Sequence, residues 1–255
     1  MTFAVAADSY DRHVGRYSGA LGRELVRVAG VRPPMRALDV GAGTGKLTGV
    51  LAELLGEENV AAVDPSDTFA ETLRTRFPGM DVQHAAAEAL PFTDSSFDAA
   101  LAQLVVNFMG QPEQGVAEMI RVVREAGIVA AAVWDYPVGM TLLTTFWDAV
   151  GALGGSEADE RTAMRFDEEG ELAGFWRRAG LRDVEEGAIV VTASYESFDD
   201  LWEPFRAGVG PAGAHAASLP LPAQEELRAE FHRRLGSPAG PFELDARAWY
   251  AVGTT

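Results

Sequence analysis

The chain has 255 residues, of which 47% are apolar and 23% are charged, a composition typical of a folded globular enzyme. Its 38 acidic residues outnumber the 21 basic ones, and a formal net charge of −17 repels phosphate backbones and anionic membrane surfaces. We therefore expect no nucleic-acid partner and no membrane partner, and we attribute the high charge mainly to solubility.

The absence of cysteine excludes disulfides, thiolate metal sites and cysteine nucleophiles. The four histidines, at positions 13, 84, 215 and 232, show no metal-ligand spacing, so we expect no metal. The first residues lack a signal-peptide pattern, and no run of about 18 apolar residues occurs. These features predict a cytoplasmic protein.

Hydrophobic periodicity, interrupted by glycine and proline, predicts the elements in chain order. The predicted helices cover 18–29, 47–55, 66–76, 112–124, 142–153, 168–179, 198–207 and 223–235. The predicted strands cover 37–40, 60–63, 81–83, 97–104, 127–134, 184–192 and 244–252. The alternation of strand and helix up to residue 134 implies βαβ units and a mostly parallel sheet, and the last two strands suit an antiparallel edge. The segment 208–214 is either a lid hinge or an ordinary loop.

Three alternate glycines follow the first predicted strand, at Gly41, Gly43 and Gly45. Glycine permits a tight turn and the close approach of a ligand to the backbone, and an ordinary strand-to-helix turn needs fewer of them. A dinucleotide fingerprint requires glycine at the sixth position, which is Lys46 here, and a P-loop requires serine or threonine where Leu47 stands. The loop therefore predicts a nucleoside ligand other than NAD or a P-loop nucleotide.

An aspartate follows the second strand, about twenty residues beyond the glycine loop. At the carboxyl edge of the sheet, the carboxylate of Asp64 can accept hydrogen bonds from both hydroxyls of a ribose. Its alternative role is to cap the next helix, although Ser66 can supply that cap. We favour ribose binding.

With these residues in place, the sequence resembles the class I S-adenosylmethionine (SAM)-dependent methyltransferases, and among them the group that acts on small molecules. The likeness is good over residues 10–135 and weaker in the final strands. In that family the loop matched by Asp39, Gly41, Gly43 and Gly45 faces the methionine part of SAM. The resemblance also implies that Asp64 binds ribose, together with its neighbours Pro65 and Ser66.

The segment Ala85 to Asp98 resembles the part of the family that borders adenine, and it makes Ala87 and Glu88 candidate contacts. Relatives often have an aspartate that bonds the adenine amino group where this chain has Ala86, so backbone groups near Ala87 must do more of the work. Glu88 is alternatively a solvated loop carboxylate. Gln103, at the end of the fourth strand, is the candidate at the methionine end.

The resemblance implies a Rossmann-like α/β fold with a seven-stranded, mostly parallel sheet of order 3-2-1-4-5-7-6 and helical cap elements. We expect residues 1–255 to form one domain, with N-terminal lid helices in 1–30 and substrate-side insertions at 135–180 and 208–236. The implied reaction transfers a methyl group from SAM to a small-molecule acceptor and releases S-adenosylhomocysteine (SAH).

The family architecture places the acceptor over the carboxyl ends of the strands, in agreement with the crevice rule for open α/β sheets. It makes Tyr10, Trp134, Asp135 and Trp202 candidate acceptor contacts, whereas Tyr17 is a candidate cofactor contact on a lid helix. The aromatic run that contains Trp202 and Phe205 has helical spacing and alternatively belongs to the core. Methyl transfer needs a base only if the acceptor must lose a proton, and His13 or His215 could then serve.

A rival interpretation is a SAM-binding protein that uses the cofactor without methyl transfer, as a structural element, as a sensor or in non-methylating catalysis.

Overall fold

The computed structural model of the chain describes residues 15–155, 159 and 164–255. Its helices are α1 (Gly15–Val28), α2 (Lys46–Leu55), α3 (Asp67–Arg76), α4 (Pro112–Val122), α5 (Thr141–Ala152), α6 (Glu171–Arg178), α7 (Phe198–Arg206), α8 (Gly210–Ser218) and α9 (Leu221–Arg234). Its strands are β1 (Ala37–Val40), β2 (Val60–Asp64), β3 (Asp81–His84), β4 (Phe97–Gln103), β5 (Val123–Trp134), β6 (Arg182–Tyr195) and β7 (Phe242–Thr254).

The strands form one seven-stranded sheet of order β3-β2-β1-β4-β5-β7-β6. The neighbouring pairs from β3 to β5 are parallel, and β7 is antiparallel to β5. The predicted Rossmann-like α/β fold and its strand order are confirmed.

The central strands are short and buried on both faces, as parallel strands covered by helices must be. Every residue of β1 and β2 is buried, and nearly all of them are alanine, valine or leucine. Trp176 of α6 belongs to the apolar cluster that packs against this part of the sheet, and its indole Nε1 donates to the Val129 carbonyl at 2.9 Å. The loops after β1, β2 and β4 therefore begin at the ends of buried strands, along one edge of the sheet.

The chain divides into two compact units. We call residues 18–134, 165–189 and 248–255 the sheet unit, and the described residues within 1–17, 135–164 and 190–247 the helical unit. The unit boundaries fall within β6 and β7. Of the predicted insertion 135–180, residues 135–164 belong to the helical unit and 165–180 to the sheet unit. Among the described residues, no helix combines the length and apolar character needed to cross a bilayer.

One helix was not predicted. The segment 208–214, expected to be a hinge or a loop, contains the start of α8. Pro211 lies in the first turn of this helix, where a missing N–H costs nothing. A Cβ on Gly213 would lie 2.8 Å from the carbonyl carbon of Gly208, so this glycine lets the backbone fold back tightly. Glycine and proline here mark a compact helical turn instead of an open loop.

Candidate functional site

The loop after β1 is shaped by three glycines that share a left-handed backbone. The φ angles of Gly41, Gly43 and Gly45 are 73°, 54° and 80°. The Val63 carbonyl at the end of β2 accepts hydrogen bonds from the backbone N–H groups of Gly41 at 2.8 Å and of Ala42 at 2.9 Å. Glycine is the residue that adopts this conformation without strain, so the loop's path depends on these positions.

The space around the three glycines differs. A Cβ on Gly41 would lie 2.6 Å from both methyl groups of Val105, and a Cβ on Gly45 would lie 2.6 Å from a methyl group of Leu73. A Cβ on Gly43 would meet no atom within 4 Å. Gly41 and Gly45 are therefore needed for packing as well as for backbone conformation, whereas Gly43 borders open space.

Asp39 lies in β1 directly beneath this loop and is 1% exposed. Its Oδ2 accepts a hydrogen bond from the Thr48 hydroxyl of α2 at 2.6 Å. Burial raises the pKa of Asp39 to about 7; the Thr48 hydroxyl opposes this rise and the nearby Asp64 carboxylate adds to it. A buried carboxyl of this kind is costly in its charged form, and such groups concentrate at functional sites.

Asp64 connects the glycine loop to the end of β2. Its Oδ2 accepts from the Gly43 N–H and its Oδ1 from the Ser66 N–H, both at 2.8 Å. Burial raises the pKa of Asp64, although these two N–H groups and the nearby His84 oppose the shift. The cap of α3 is supplied by Ser66, whose hydroxyl accepts from the Phe69 N–H. Each carboxylate oxygen has a second lone pair with which it can accept from a ribose hydroxyl.

The loop after β3 contains Ala87 and Glu88. Ala87 is buried in the apolar cluster of the sheet unit. Glu88 accepts a hydrogen bond from the Gln111 N–H at 3.0 Å, next to the start of α4. A carboxylate is favourable at a helix N-terminus, so the side chain of Glu88 has a structural task. An adenine contact from this loop stays a prediction, and the backbone of the loop is the better candidate for it.

Gln103 ends β4 and reaches α1. Its Nε2 donates to the Ser18 carbonyl at 2.9 Å, while its Oε1 is buried and has no hydrogen-bond partner among the described residues. The close approach depends on Gly22, because a Cβ there would lie 3.0 Å from that oxygen. A buried oxygen without a donor is costly unless a ligand supplies one. This supports Gln103 as a ligand-binding residue.

Several predicted site residues lie in the helical unit and contact other residues of that unit. The hydroxyl of Tyr17 is 3.2 Å from that of Tyr195, and the Tyr17 side chain is fully buried. Burial, followed by the neighbouring Tyr195, raises the pKa of Tyr17 far above its ordinary value. Asp135 is buried and accepts from the Arg247 guanidinium at 2.7 Å and from the Val138 N–H at 3.1 Å. These contacts give both Tyr17 and Asp135 structural tasks.

Trp202 lies within a cluster of aromatic side chains from α5, α7 and α9. The cluster consists of Phe146, Trp147, Phe198, Trp202, Phe205 and Phe231. Its closest stack joins Phe146 and Phe205, with ring centroids 4.5 Å apart. The packing favours the core alternative for Trp202, and its acceptor contact stays a prediction.

The remaining candidates are Trp134, His215, Tyr10 and His13. Trp134 is buried at the end of β5. The His215 ring of α8 lies 5.5 Å from that of Trp147, and burial lowers the pKa of His215. Tyr10 and His13 lie outside the described residues. In the described ranges, no group of three or more histidine and acidic side chains is placed to hold a metal ion.

Two residues that contact the candidate site were not predicted from the sequence. Thr48 bonds Asp39, and Ser18 receives the Gln103 amide. The Thr48 hydroxyl, nine residues after Asp39 in the next helix, was a usable signal, since a buried carboxyl needs a donor. The carbonyl of Ser18 has no such signal, because any residue type supplies a carbonyl. The sheet unit thus brings together Asp39, the glycine loop and Asp64 as predicted neighbours.

Comparison with known proteins gives one matching family model. Residues 38–131 match a model described as a methyltransferase domain. The chain is 32% identical to a malonyl-[acyl-carrier protein] O-methyltransferase of Methylococcus capsulatus over 137 residues, which cover 51% of this chain and 49% of that protein. It is 34% identical to a demethylmenaquinone methyltransferase of Renibacterium salmoninarum over 115 residues, which cover 45% of this chain and 48% of that protein. The chain spans about half the length of these curated relatives.

Among solved structures, the chain is similar to a SAM-dependent methyltransferase from Thermotoga maritima. The superposition has a TM-score of 0.56 at 20% identity and covers 97% of this chain and 95% of that one. At this identity the likeness concerns the fold alone, and it extends beyond the matched segment into the later elements.

Proposed function

We propose that the chain, whose residues 38–131 match a methyltransferase-domain model, is a class I SAM-dependent methyltransferase that transfers the methyl group of SAM to a small-molecule acceptor and releases SAH. The observation that carries the proposal is Asp64, a buried carboxylate that holds the glycine loop through the Gly43 N–H and keeps lone pairs for a ribose. This arrangement lies at the carboxyl edge of the sheet, where open α/β folds bind ligands.

SAM is the cofactor of this family, and the residues present fit its three parts. We assign the ribose to Asp64, with Pro65 and Ser66 forming the turn beside it. The glycine loop, with Asp39 beneath it, faces the methionine part, where the unpartnered Oε1 of Gln103 can accept from the ammonium group. The loop at Ala87 and Glu88 borders the adenine. The sulfonium of bound SAM supplies an activated methyl group, so the protein must mainly orient two molecules and exclude water.

In the proposed reaction the acceptor's lone pair forms a bond to the methyl carbon as the carbon–sulfur bond breaks, and the electron pair of that bond remains on sulfur as SAH. A base is needed only for an acceptor that must lose a proton. Burial lowers the pKa of His215, which keeps its imidazole neutral near pH 7 and able to accept a proton. His215 and His13 therefore remain candidates for this role.

The acceptor class is inferred from charge and from the relatives. A net charge of −17 disfavours nucleic acids, and the similar enzymes are named as methyltransferases of malonyl-[acyl-carrier protein] and of demethylmenaquinone. We propose a small metabolite as acceptor and a cytoplasmic location, which suits a chain without cysteine.

The test measures SAH by mass spectrometry after incubation of the protein with SAM and a panel of phenols, quinols, amines and carboxylates. We expect SAH to form with at least one class, and we expect Asp64→Ala to weaken SAM binding about 10- to 100-fold, since hydrogen bonds to charged groups contribute about 1.5–3 kcal/mol. SAM binding without SAH across the panel would favour the rival role as a sensor or a non-methylating protein. Binding of NAD without binding of SAM would overturn the proposal.

A further inference from the structure

The end of β3 presents a histidine to the turn that carries Asp64. His84 is the last residue of β3 and lies directly beside Asp64 in the parallel register of β2 and β3. Its Nδ1 is 2.8 Å from Oδ1 of Asp67, and its Nε2 is 2.9 Å from the Pro65 carbonyl oxygen. Both ring nitrogens therefore face oxygen atoms of the same short turn.

The chemistry of these partners decides which form of the ring can donate to both of them. A peptide carbonyl can only accept a hydrogen bond, and so can an ionised carboxylate. A neutral imidazole has one N–H, so in either tautomer the lone pair of its other nitrogen would face an oxygen lone pair. Only the doubly protonated imidazolium donates to both Pro65 and Asp67 at once.

The two partners flank the residues that we assign to the ribose. Pro65 and Asp67 lie on either side of Ser66, which caps α3, and Asp64 accepts from the backbone N–H of this same Ser66. An imidazolium bonded to both ends of the turn restrains it with Asp64 in place. Its positive charge also favours the ionised form of Asp64, whose pKa burial otherwise raises.

We propose that protonated His84 is a positioning residue for the cofactor, a clasp that holds the Asp64–Asp67 turn and makes SAM binding tighter at low pH than at high pH. The inference rests on the proposed function for the ligand that it names. The imidazolium has two N–H groups and the neutral ring has one, so the clasp needs the protonated ring, and the added affinity disappears when that ring is neutral.

The effect of His84 on the pH dependence of binding must be distinguished from the effects of other charged groups near β3. The strand packs against β2 and α3, which contribute Asp64, Asp67 and Arg74; the Arg74 Nε donates to the Val82 carbonyl. Asp81 of β3 itself bonds the Gln83 amide. Asp39, whose pKa burial raises to about 7, adds a pH dependence of opposite sign, because its ionised form favours a cationic ligand. We therefore compare variants by the ratio of their SAH dissociation constants at the same pH.

The test uses calorimetric titration of the full chain with SAH at pH 6.0 and pH 8.5. We expect His84→Gln to bind SAH about two- to four-fold more weakly than the unsubstituted protein at pH 6.0, the effect of an exposed charge pair, and equally well at pH 8.5. His84→Arg keeps a permanent cation, and we expect it to bind more tightly than His84→Gln at pH 8.5. The matched control is His232→Gln on α9, whose Nε2 contacts the Pro238 carbonyl, and we expect no change at either pH.

Nitrogen NMR of the histidine rings gives a readout that does not depend on SAH. Two N–H signals from His84 at pH 6.0 support the clasp. A single N–H signal from His84 at pH 6.0 would overturn the clasp. So would a ratio of SAH affinities between His84→Gln and the unsubstituted protein that is the same at pH 6.0 and pH 8.5. If the unsubstituted protein binds no SAH at either pH while His84 shows both N–H signals, the clasp on the turn stands and the proposed function fails.

Discussion

The two units bury carboxylates in different ways. In the helical unit, Asp135 is paired with a guanidinium, that of Arg247. In the sheet unit, Asp39 is held by a hydroxyl and Asp64 by two backbone N–H groups. A buried carboxylate paired with a cation is compensated within the fold, whereas one without such a partner carries a cost that a ligand can offset. This difference supports the proposal that the binding site lies in the sheet unit, whereas the charge of Asp135 is compensated by Arg247 within the helical unit.

The largest expected effect tests the aromatic interior of the helical unit. Phe205 is fully buried and stacks on Phe146, so Phe205→Ala should reduce the free energy of unfolding by about 3–5 kcal/mol. Leu221 is 75% exposed, and Leu221→Ala is the control, with an expected change within about 0.5 kcal/mol. Urea unfolding followed by circular dichroism measures both. A small loss at Phe205 would mean that the aromatic cluster is not the unit's main source of stability.

The next effect compares two glycines of the sheet unit that share a backbone conformation. Gly41→Ala combines left-handed strain with a clash against Val105 and should cost about 2–5 kcal/mol of stability. Gly43→Ala meets no atom within 4 Å and should cost only the strain, about 1–2 kcal/mol.

For SAH binding we expect the reverse of the order for stability, with Gly43→Ala having a larger effect than Gly41→Ala. The open space beside Gly43 is where we place the ligand, so Gly43→Ala should weaken SAH binding more than its stability loss suggests. Calorimetry on the folded protein measures this. Unchanged affinity would move the ligand away from Gly43.

How far the sequence predicts this molecule also differs between the units. The glycine loop and Asp64 were predictable because a left-handed backbone requires glycine and the strand order brings their loops to one edge. The task of Asp135 was not predictable from local pattern, because its partner Arg247 lies 112 residues further along the chain. For Trp202 the helical spacing already offered a core role, and only the fold shows that Phe231 of another helix packs against it. Local rules identify sites built from backbone geometry, whereas sites built from packing need the fold.

A third prediction concerns the pH dependence of the sheet unit. The pKa of Asp39 in the folded protein, about 7, is above the ordinary value near 3.9, so folding favours the protonated form. The stability that protonation provides is present below about pH 4 and is lost as pH rises towards 7. Asp39→Asn removes the ionisation and keeps an oxygen that can accept from Thr48. We expect it to raise the free energy of unfolding by about 2–4 kcal/mol at pH 8 and by much less at pH 5.

The matched control for Asp39 is Asp98, whose pKa is shifted in the other direction. Burial alone would raise the pKa of Asp98, but hydrogen bonds from the Arg36 N–H and the Arg124 guanidinium outweigh it and lower the pKa. Asp98→Asn should therefore be destabilising at pH 8, and the loss should shrink as pH falls towards 3. Chemical unfolding at several pH values compares the two variants. The same sign of effect for both would contradict the assignment of Asp39 as a carboxyl without charge compensation.

The smallest effect decides what Tyr17 does. Its hydroxyl lies against that of Tyr195, and removing either hydroxyl leaves the other with one partner fewer, which costs about 1 kcal/mol. If the pair is purely structural, Tyr17→Phe and Tyr195→Phe should destabilise the protein by similar amounts, and neither should change the affinity for SAH. If Tyr17 also contacts the cofactor, as the sequence predicts, Tyr17→Phe should weaken SAH binding while Tyr195→Phe should not. Each substitution removes one of the two hydroxyls that form this hydrogen bond, so both variants lose the bond. A difference in SAH affinity between the two variants therefore cannot come from the loss of that bond.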